Sequence, residues 1–279
     1  MNQKLFNPDY LYSLCKNYGL QPSKKYGQNF LVNQEIIEKI IEAGDLKKTD
    51  TVVEVGPGFG VLTFALAERA KQVVAFEIEK KLVPYWQDRK PENVNTIWGN
   101  VLRQANDLPK GKYKVIANLP YQITSAVIRA FLEVNNPPEK MALMVQKEVA
   151  ERICAKPGEM SLLSVAVQYY ADAEIIDFVP RDNFWPMPKV DSAIIVLKVH
   201  KVMKPIKSDG FFRLVKAGFA NRRKLLVKNL LPAIGKQNRG ALEQTFASLG
   251  LEKTVRAQEF SVSQWSYLAD FFSKNKYAP

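Results

Sequence analysis

The residues with the most specific chemistry stand in a row: Asn118-Leu119-Pro120-Tyr121, closing the strand-like run KVIAN. An amino group conjugated to an aromatic ring is a poor nucleophile, because its lone pair is delocalised. If the Asn118 carboxamide oxygen and a neighbouring backbone carbonyl accept both N–H hydrogens, that nitrogen can become tetrahedral as it attacks. Pro120 fixes the turn, and Tyr121 offers a ring for stacking. No strong base is needed beforehand, since the proton becomes acidic once the alkylated nitrogen carries positive charge. The rate would then come from alignment and differential stabilisation. Alone, NLPY would be an ordinary proline turn. Farther on, FWPMPKVDS (184–192) supplies a proline-constrained aromatic loop, and Phe184 is expected to close the second face of a flipped base opposite Tyr121.

A second constellation lies upstream. The β-rich run Thr51–Val55 enters Gly56-Pro57-Gly58-Phe59-Gly60, and VLTFALAERA follows with helical spacing. A strand, a glycine turn and a helix bring bare backbone and N–H groups close to a ligand. The spacing decides which ligand. A dinucleotide fingerprint needs glycines at the first, third and sixth positions, and the sixth here is Val61; EVGPGFG has them at the first, third and fifth, the pattern of class I methyltransferases. Gly56 and Gly58 are therefore expected against S-adenosylmethionine. Glu77 ends the next strand, 17 residues after Gly60, where a carboxylate can accept both ribose hydroxyls. Glu54, just before the glycines, is expected to orient the loop.

The elements that must position these residues follow from periodicity. NQEIIEKIIEAG (33–44) predicts a helix capped by Asn33 and stopped at Gly44. Strands are predicted at QVVAFEI, VNTIW (94–98), KVIAN (114–118), MALMVQ (141–146) and AIIVLKV (193–199). Strands alternating with helices imply an α/β fold with a parallel, doubly wound sheet, here a Rossmann-like methyltransferase sheet with a smaller C-terminal helical domain. The expected division is a catalytic domain over 1–200, a linker KVMKPIKSD over 201–209, and a basic helical domain over 210–279.

Charge supports that division. Residues 199–279 carry 15 Lys and Arg against 5 Asp and Glu, so they hold +10 of the formal +12. A basic module on a near-neutral core fits phosphate contacts by the small part and chemistry by the large one. Cys15, Cys154 and His200 are too few and too scattered for a disulfide framework or a zinc site, and His200 has no nucleophile motif nearby, so no metal is expected. No apolar run reaches 18 residues and the first residues lack the order of a secretion signal, which predicts a soluble, cytoplasmic protein without a membrane partner. No heptad seam suggests dimerisation, so a monomer is expected.

Six motifs occur in one order: KKYGQNFL (24–31), EVGPGFGVLT (54–63), NLPYQIT (118–124), MVQKEVAERI (144–153), FWPMPKVDS (184–192) and FANRRKLL (219–226). Together they resemble the bacterial rRNA adenine N6,N6-dimethyltransferases, the KsgA/RsmA family, over almost the whole chain. The resemblance implies S-adenosylmethionine as methyl donor. It implies as substrate two adjacent adenosines in the 3′-terminal hairpin of small-subunit (16S) rRNA, dimethylated within the immature small ribosomal subunit. It implies cofactor contacts at Asn29, Leu31, Gly56, Glu77 and Asn118, and RNA contacts at Arg222, Arg223 and Lys224. Lys24 and Lys25 could add phosphate contacts, although two lysines near a terminus are more often plain surface. Gly99-Asn100 is a departure, because the family usually has Gly-Asp, its Asp accepting the cofactor's adenine amine. Asn100 is expected to accept that hydrogen bond through its oxygen without the charge.

Three alternatives share parts of this pattern. The related 23S rRNA adenine methyltransferases share the fold and the Asn-x-Pro-Tyr chemistry, but GPGFGVLT and ANRRKLL favour the small-subunit enzymes. Against a non-catalytic assembly factor stand the intact NLPY and glycine motifs. Against a DNA amino-methyltransferase stands the lack of a separate target-recognition domain.

Overall fold

The computed structural model of the chain describes residues 3–21, 29–200 and 208–274. In chain order the elements are α1 (Pro8–Asn17), β1 (Phe30–Leu31), α2 (Gln34–Ala43), β2 (Thr51–Val55), α3 (Val61–Ala67), β3 (Gln72–Glu77), α4 (Val83–Arg89), β4 (Val94–Trp98), β5 (Lys114–Asn118), α5 (Thr124–Glu133) and β6 (Lys140–Gln146). They continue with α6 (Lys147–Ile153), α7 (Leu162–Gln168), β7 (Ala171–Val179), β8 (Phe184–Trp185), β9 (Ser192–Val199), α8 (Ser208–Gly218), α9 (Leu226–Ile234), α10 (Arg239–Ser248) and α11 (Val262–Lys274). No helix among the described residues is long and apolar enough to cross a membrane.

The larger unit, residues 1–150 with 171–201, is built on a seven-stranded sheet of order β4-β3-β2-β5-β6-β9-β7. β4 to β6 run parallel, while β9 is antiparallel to both β6 and β7. The expected all-parallel sheet thus ends in two antiparallel strands. β7 was not predicted: its residues alternate between buried, half-buried and exposed with acids among them, and a bulge interrupts the register between Ile175 and Asp177. An edge strand has one partner and needs no continuous apolar run.

The helices cover the sheet for local reasons. α2 starts where the Asn33 side chain accepts the Glu35 N–H at 2.9 Å. Its face Ile36, Ile37, Ile40 and Ile41 is buried, each side chain contributing roughly 1.5–3 kcal/mol. It stops at Gly44, where a Cβ would stand 2.4 Å from the Ile116 side chain. In the sheet, β2 is followed by β3 on one side and paired with β5 on the other, so strand order reverses there. Ligands bind beyond the carboxyl ends of strands at such a reversal. The residues found there are Gly56 and Asn118.

The second unit comprises residues 151–170 and 202–279, so segment 151–170, expected within the domain over 1–200, is grouped with the C-terminal residues instead. Segment 151–170 belongs with the C-terminal helices because Met160 and Val165 are buried with Phe211, Phe246, Phe260 and Trp265. The N–H groups of Gly158 and Met160 also donate to the Gln258 carbonyl, at 2.8 and 3.1 Å. Most of the expected linker, 201–207, lies outside the described residues.

Between α8 and α9 the chain turns through residues 219–225. Buried Asn229 holds that turn, its Nδ2 donating to Gly218 O at 2.7 Å and Asn221 O at 3.0 Å. Asn229→Ala removes the side-chain donor from both carbonyls, leaving Asn221 O with the Lys224 N–H alone, and the expected loss is about 1–3 kcal/mol of stability. Thermal unfolding would read this as a lowered Tm; an unchanged Tm would mean that the turn does not depend on this amide.

Candidate active site

The glycine turn is a backbone feature before it is a binding feature. Gly56, Gly58 and Gly60 have φ of 74, 56 and 86°, left-handed values that strain any residue with a Cβ. Two side chains of α4 brace the turn from behind: the Tyr85 hydroxyl donates to Phe59 O at 2.7 Å, and Trp86 Nε1 donates to Gly58 O at 2.9 Å. Both rings are almost wholly buried. The glycines were legible in the sequence, but these braces were not, because α4 has no clean apolar stripe.

Glu77 closes the turn from the neighbouring strand. Its Oε2 accepts the Gly58 N–H at 3.0 Å and its Oε1 the Glu79 N–H at 2.8 Å. Burial pushes its pKa up, while those backbone donors, joined by that of Ile78, pull the other way. Glu54, 2% exposed, is less well served. Burial pushes its carboxyl up to about 8; the nearby Thr63 hydroxyl opposes the shift, and the Glu77 charge adds to it. Even so, Glu54 Oε2 and Thr63 Oγ1 lack a partner in normal hydrogen-bond geometry among the described residues.

The second motif leaves β5. Asn118 Nδ2 donates to the Asn29 carbonyl at 3.3 Å, which fixes the amide so that its oxygen is the outward acceptor. The Leu119 N–H donates to Met144 O at 3.1 Å, and Leu119 itself is buried. Pro120 O already accepts from the Ile123 N–H and the Thr124 hydroxyl, at 3.1 and 3.2 Å. The Tyr121 hydroxyl shares a 2.8 Å hydrogen bond with buried Ser192 at the start of β9, and burial raises its pKa. Ser192 was read only as part of a motif; sequence gave no sign that it would anchor Tyr121.

A single cavity joins the two motifs. Asn29, Leu31, Gly56, Gly58, Glu77 and Asn100 line it, together with Asn118, Leu119, Pro120 and Tyr121. Among the described residues that line it are two carboxyl groups, Glu54 and Glu77, and no Lys, Arg or His.

One expectation needs correction. Phe184 is not among the lining residues: it is 3% exposed, pairs with Leu31 across β1 and β8, and packs in the core. The sandwich with Tyr121 is therefore not formed in this structure. Asn100 lines the cavity as expected of a cofactor contact, and its oxygen accepts the Leu102 N–H at 3.0 Å. Arg222, Arg223 and Lys224 lie in the second unit, exposed on the turn before α9. Lys24 and Lys25 lie outside the described residues.

Comparison with known proteins bears on what the cavity serves. Residues 19–274 match the family model described as ribosomal RNA adenine dimethylase. A ribosomal RNA small subunit methyltransferase A from Dehalococcoides mccartyi is 39% identical over 269 residues, covering 94% of this chain and 92% of the relative. One from Shouchella clausii is 38% identical, covering 97% and 96%. Among solved structures, the 23S rRNA methyltransferase ErmE aligns with a TM-score of 0.72 at 27% identity, over 87% of this chain and 98% of that one. A dimethyladenosine transferase from Plasmodium falciparum aligns at 0.74 and 24% identity, over 88% and 98%, a likeness of fold.

Glu54 gives the site a signature that needs no substrate. Its folded pKa of about 8 lies above its ordinary 4.5, so between those values the native state keeps a proton that the unfolded chain releases. Stability from this group therefore falls as pH rises through that window. In ligand-free protein, Glu54→Gln is expected to lose less Tm than wild type between pH 6 and pH 8. Parallel curves for the two proteins would mean that Glu54 is already ionised at neutral pH.

Proposed function

This chain belongs to the ribosomal RNA adenine dimethylase family, and from that premise we propose that it uses S-adenosylmethionine to dimethylate two adjacent adenosines at N6 in the 3′-terminal hairpin of 16S rRNA. It acts as a monomer in the cytoplasm, on the immature small ribosomal subunit. The observation that carries this reading is the cavity itself: two buried acids, no cation among the described residues that line it, and the Asn118 amide on its wall. That described lining offers a pyrophosphate no counter-charge, whereas its carboxyl groups favour a ligand bearing a sulfonium and an ammonium.

The residues present fit that cofactor. Glu77, pinned by two backbone N–H groups, offers acceptor capacity to the ribose hydroxyls. Gly56 and Gly58 leave room for the amino-acid end beside Glu54. When bound, the cofactor supplies an electrophilic methyl carbon whose bond to sulfur breaks, the electron pair staying on sulfur, as the bond to nitrogen forms.

This chain's own contribution is to hold the nucleophile. Asn118 Nδ2 is engaged with Asn29, so its Oδ1 accepts one N–H of the adenine amine. Pro120 O is taken, which leaves the Leu119 carbonyl as acceptor for the other. Tyr121, held by Ser192, stacks on the base. Burial keeps its phenol neutral, so it supplies a face rather than a base. The proton leaves to water after transfer, from a nitrogen that has become cationic. Arg222, Arg223 and Lys224 contact phosphates. Relatives named for the small subunit match at 38–39% identity over more than nine-tenths of the chain, which supports that substrate over the large-subunit RNA of ErmE at 27%.

With labelled S-adenosylmethionine and immature small subunits, nuclease digestion and mass spectrometry should find N6,N6-dimethyladenosine at the two adjacent hairpin sites. Asn118→Ala should lower the rate by about 100-fold or more, because alignment supplies most of the catalysis. Product confined to large-subunit RNA would transfer the chain to the 23S reading, and binding without transfer would make it an assembly factor.

Neutralising Arg222, Arg223 and Lys224 together should reduce the slope of log affinity against log salt by about 2–3. Cofactor affinity should stay unchanged. An unaltered slope would make the turn a solvated surface.

A further inference from the structure

The polarity of Asn100 bears on which edge of the cofactor's adenine the protein reads. Asn100 follows β4 directly after Gly99, whose N–H donates to the Glu77 carbonyl at 2.8 Å. Glu77 and Asn100 thus share one end of the cavity, with Ile78 and Val101 as apolar walls beside them. A ribose held by the Glu77 carboxylate directs its base toward these walls, with Asn100 at the rim of the base.

Asn100 is locked at two points. Its Oδ1 accepts the Leu102 N–H at 3.0 Å, and its backbone carbonyl accepts the Arg103 N–H at 2.9 Å, capping the short turn Val101–Arg103. Flipping the amide would place its NH2 against the Leu102 N–H, donor against donor, so the orientation is set by the backbone. Nδ2 is then the opposite edge of the amide, and it has no hydrogen-bond partner among the described residues. A donor cannot pair with the adenine N6 amine, which is itself a donor. It can pair with the ring nitrogen N1, an acceptor.

We propose that Asn100 is a specificity-determining residue that recognises the cofactor's adenine as a hydrogen-bond donor to N1, leaving the N6 amine unread at this position. The inference rests on the assignment of the cavity to S-adenosylmethionine. A carboxylate at position 100 would reverse the polarity: one oxygen would keep the Leu102 cap and the other would accept from N6.

Calorimetry with three ligands tests this without turnover: S-adenosylhomocysteine, its 1-deaza analogue (N1 replaced by C–H), and its 6-desamino analogue (no N6 amine). Wild type should lose about 2- to 10-fold in affinity on the 1-deaza analogue, the worth of one neutral hydrogen bond, and less than 2-fold on the desamino analogue. Asn100→Asp keeps the cap and should invert that order, losing on the desamino analogue and less on the 1-deaza one. Identical penalties in the two proteins, or a wild-type loss only on the desamino analogue, would overturn the proposal while leaving the cofactor assignment intact. Failure of wild type to bind S-adenosylhomocysteine itself would sink the cofactor reading, and this proposal with it.

Discussion

A carboxylate removed from water must be given donors, and Glu77 takes one of its donors from the glycine turn that it faces. The Gly58 N–H is available only because Gly56, Gly58 and Gly60 adopt left-handed φ, which turns successive amides out of the strand direction. The turn and the acid therefore specify each other. Without Glu77 the loop loses a partner for its exposed N–H, and without the loop Glu77 is a buried charge. The rest of the site hangs on this pair, because it fixes where β2 and β3 end and hence where the cavity opens.

The sequence was most readable where local rules and tertiary demands coincide. The helix over 33–44 had both a cap and a periodic apolar face, and the central strands were largely apolar because both their faces are covered. Antiparallel β7 was missed because an edge strand mixes Asp, Glu, Ile and Phe without a dominant signal. Segment 151–170 was grouped with the catalytic domain for a related reason. Segment 151–170 sits between strand-like runs, and its allegiance to the C-terminal helices is set by long-range contacts such as those of Met160, invisible to any local pattern.

Within the site, residue types were legible and their partners were not. Asn118 and Tyr121 stood out because their chemistry is unusual at that spacing, yet what orients them, the Asn29 carbonyl and the Ser192 hydroxyl, lies 89 and 71 residues away in sequence. Phe184 shows the opposite failure. Its aromatic ring and proline-rich surroundings suggested a base-facing role, but two residues of antiparallel pairing with β1 turn it into the core. Asn100 was noticed for its lost charge, whereas the consequence of its amide depends on a hydrogen bond two residues along the backbone.

Methyl transfer without a strong base makes rigidity the main resource of the site. Asn118 is the last residue of β5, and the ladder with β6 continues one residue beyond it through the Leu119 N–H to Met144 O. The carbonyls proposed to face the target amine are thus extensions of a sheet buried on both sides, not parts of a free loop. Pro120 then turns the chain with its own carbonyl already satisfied by Ile123 and Thr124, so α5 begins without competing for the substrate's hydrogens. Placing the acceptor on the end of a central strand lets the packing energy of the whole sheet hold a geometry that a surface loop would surrender to thermal motion.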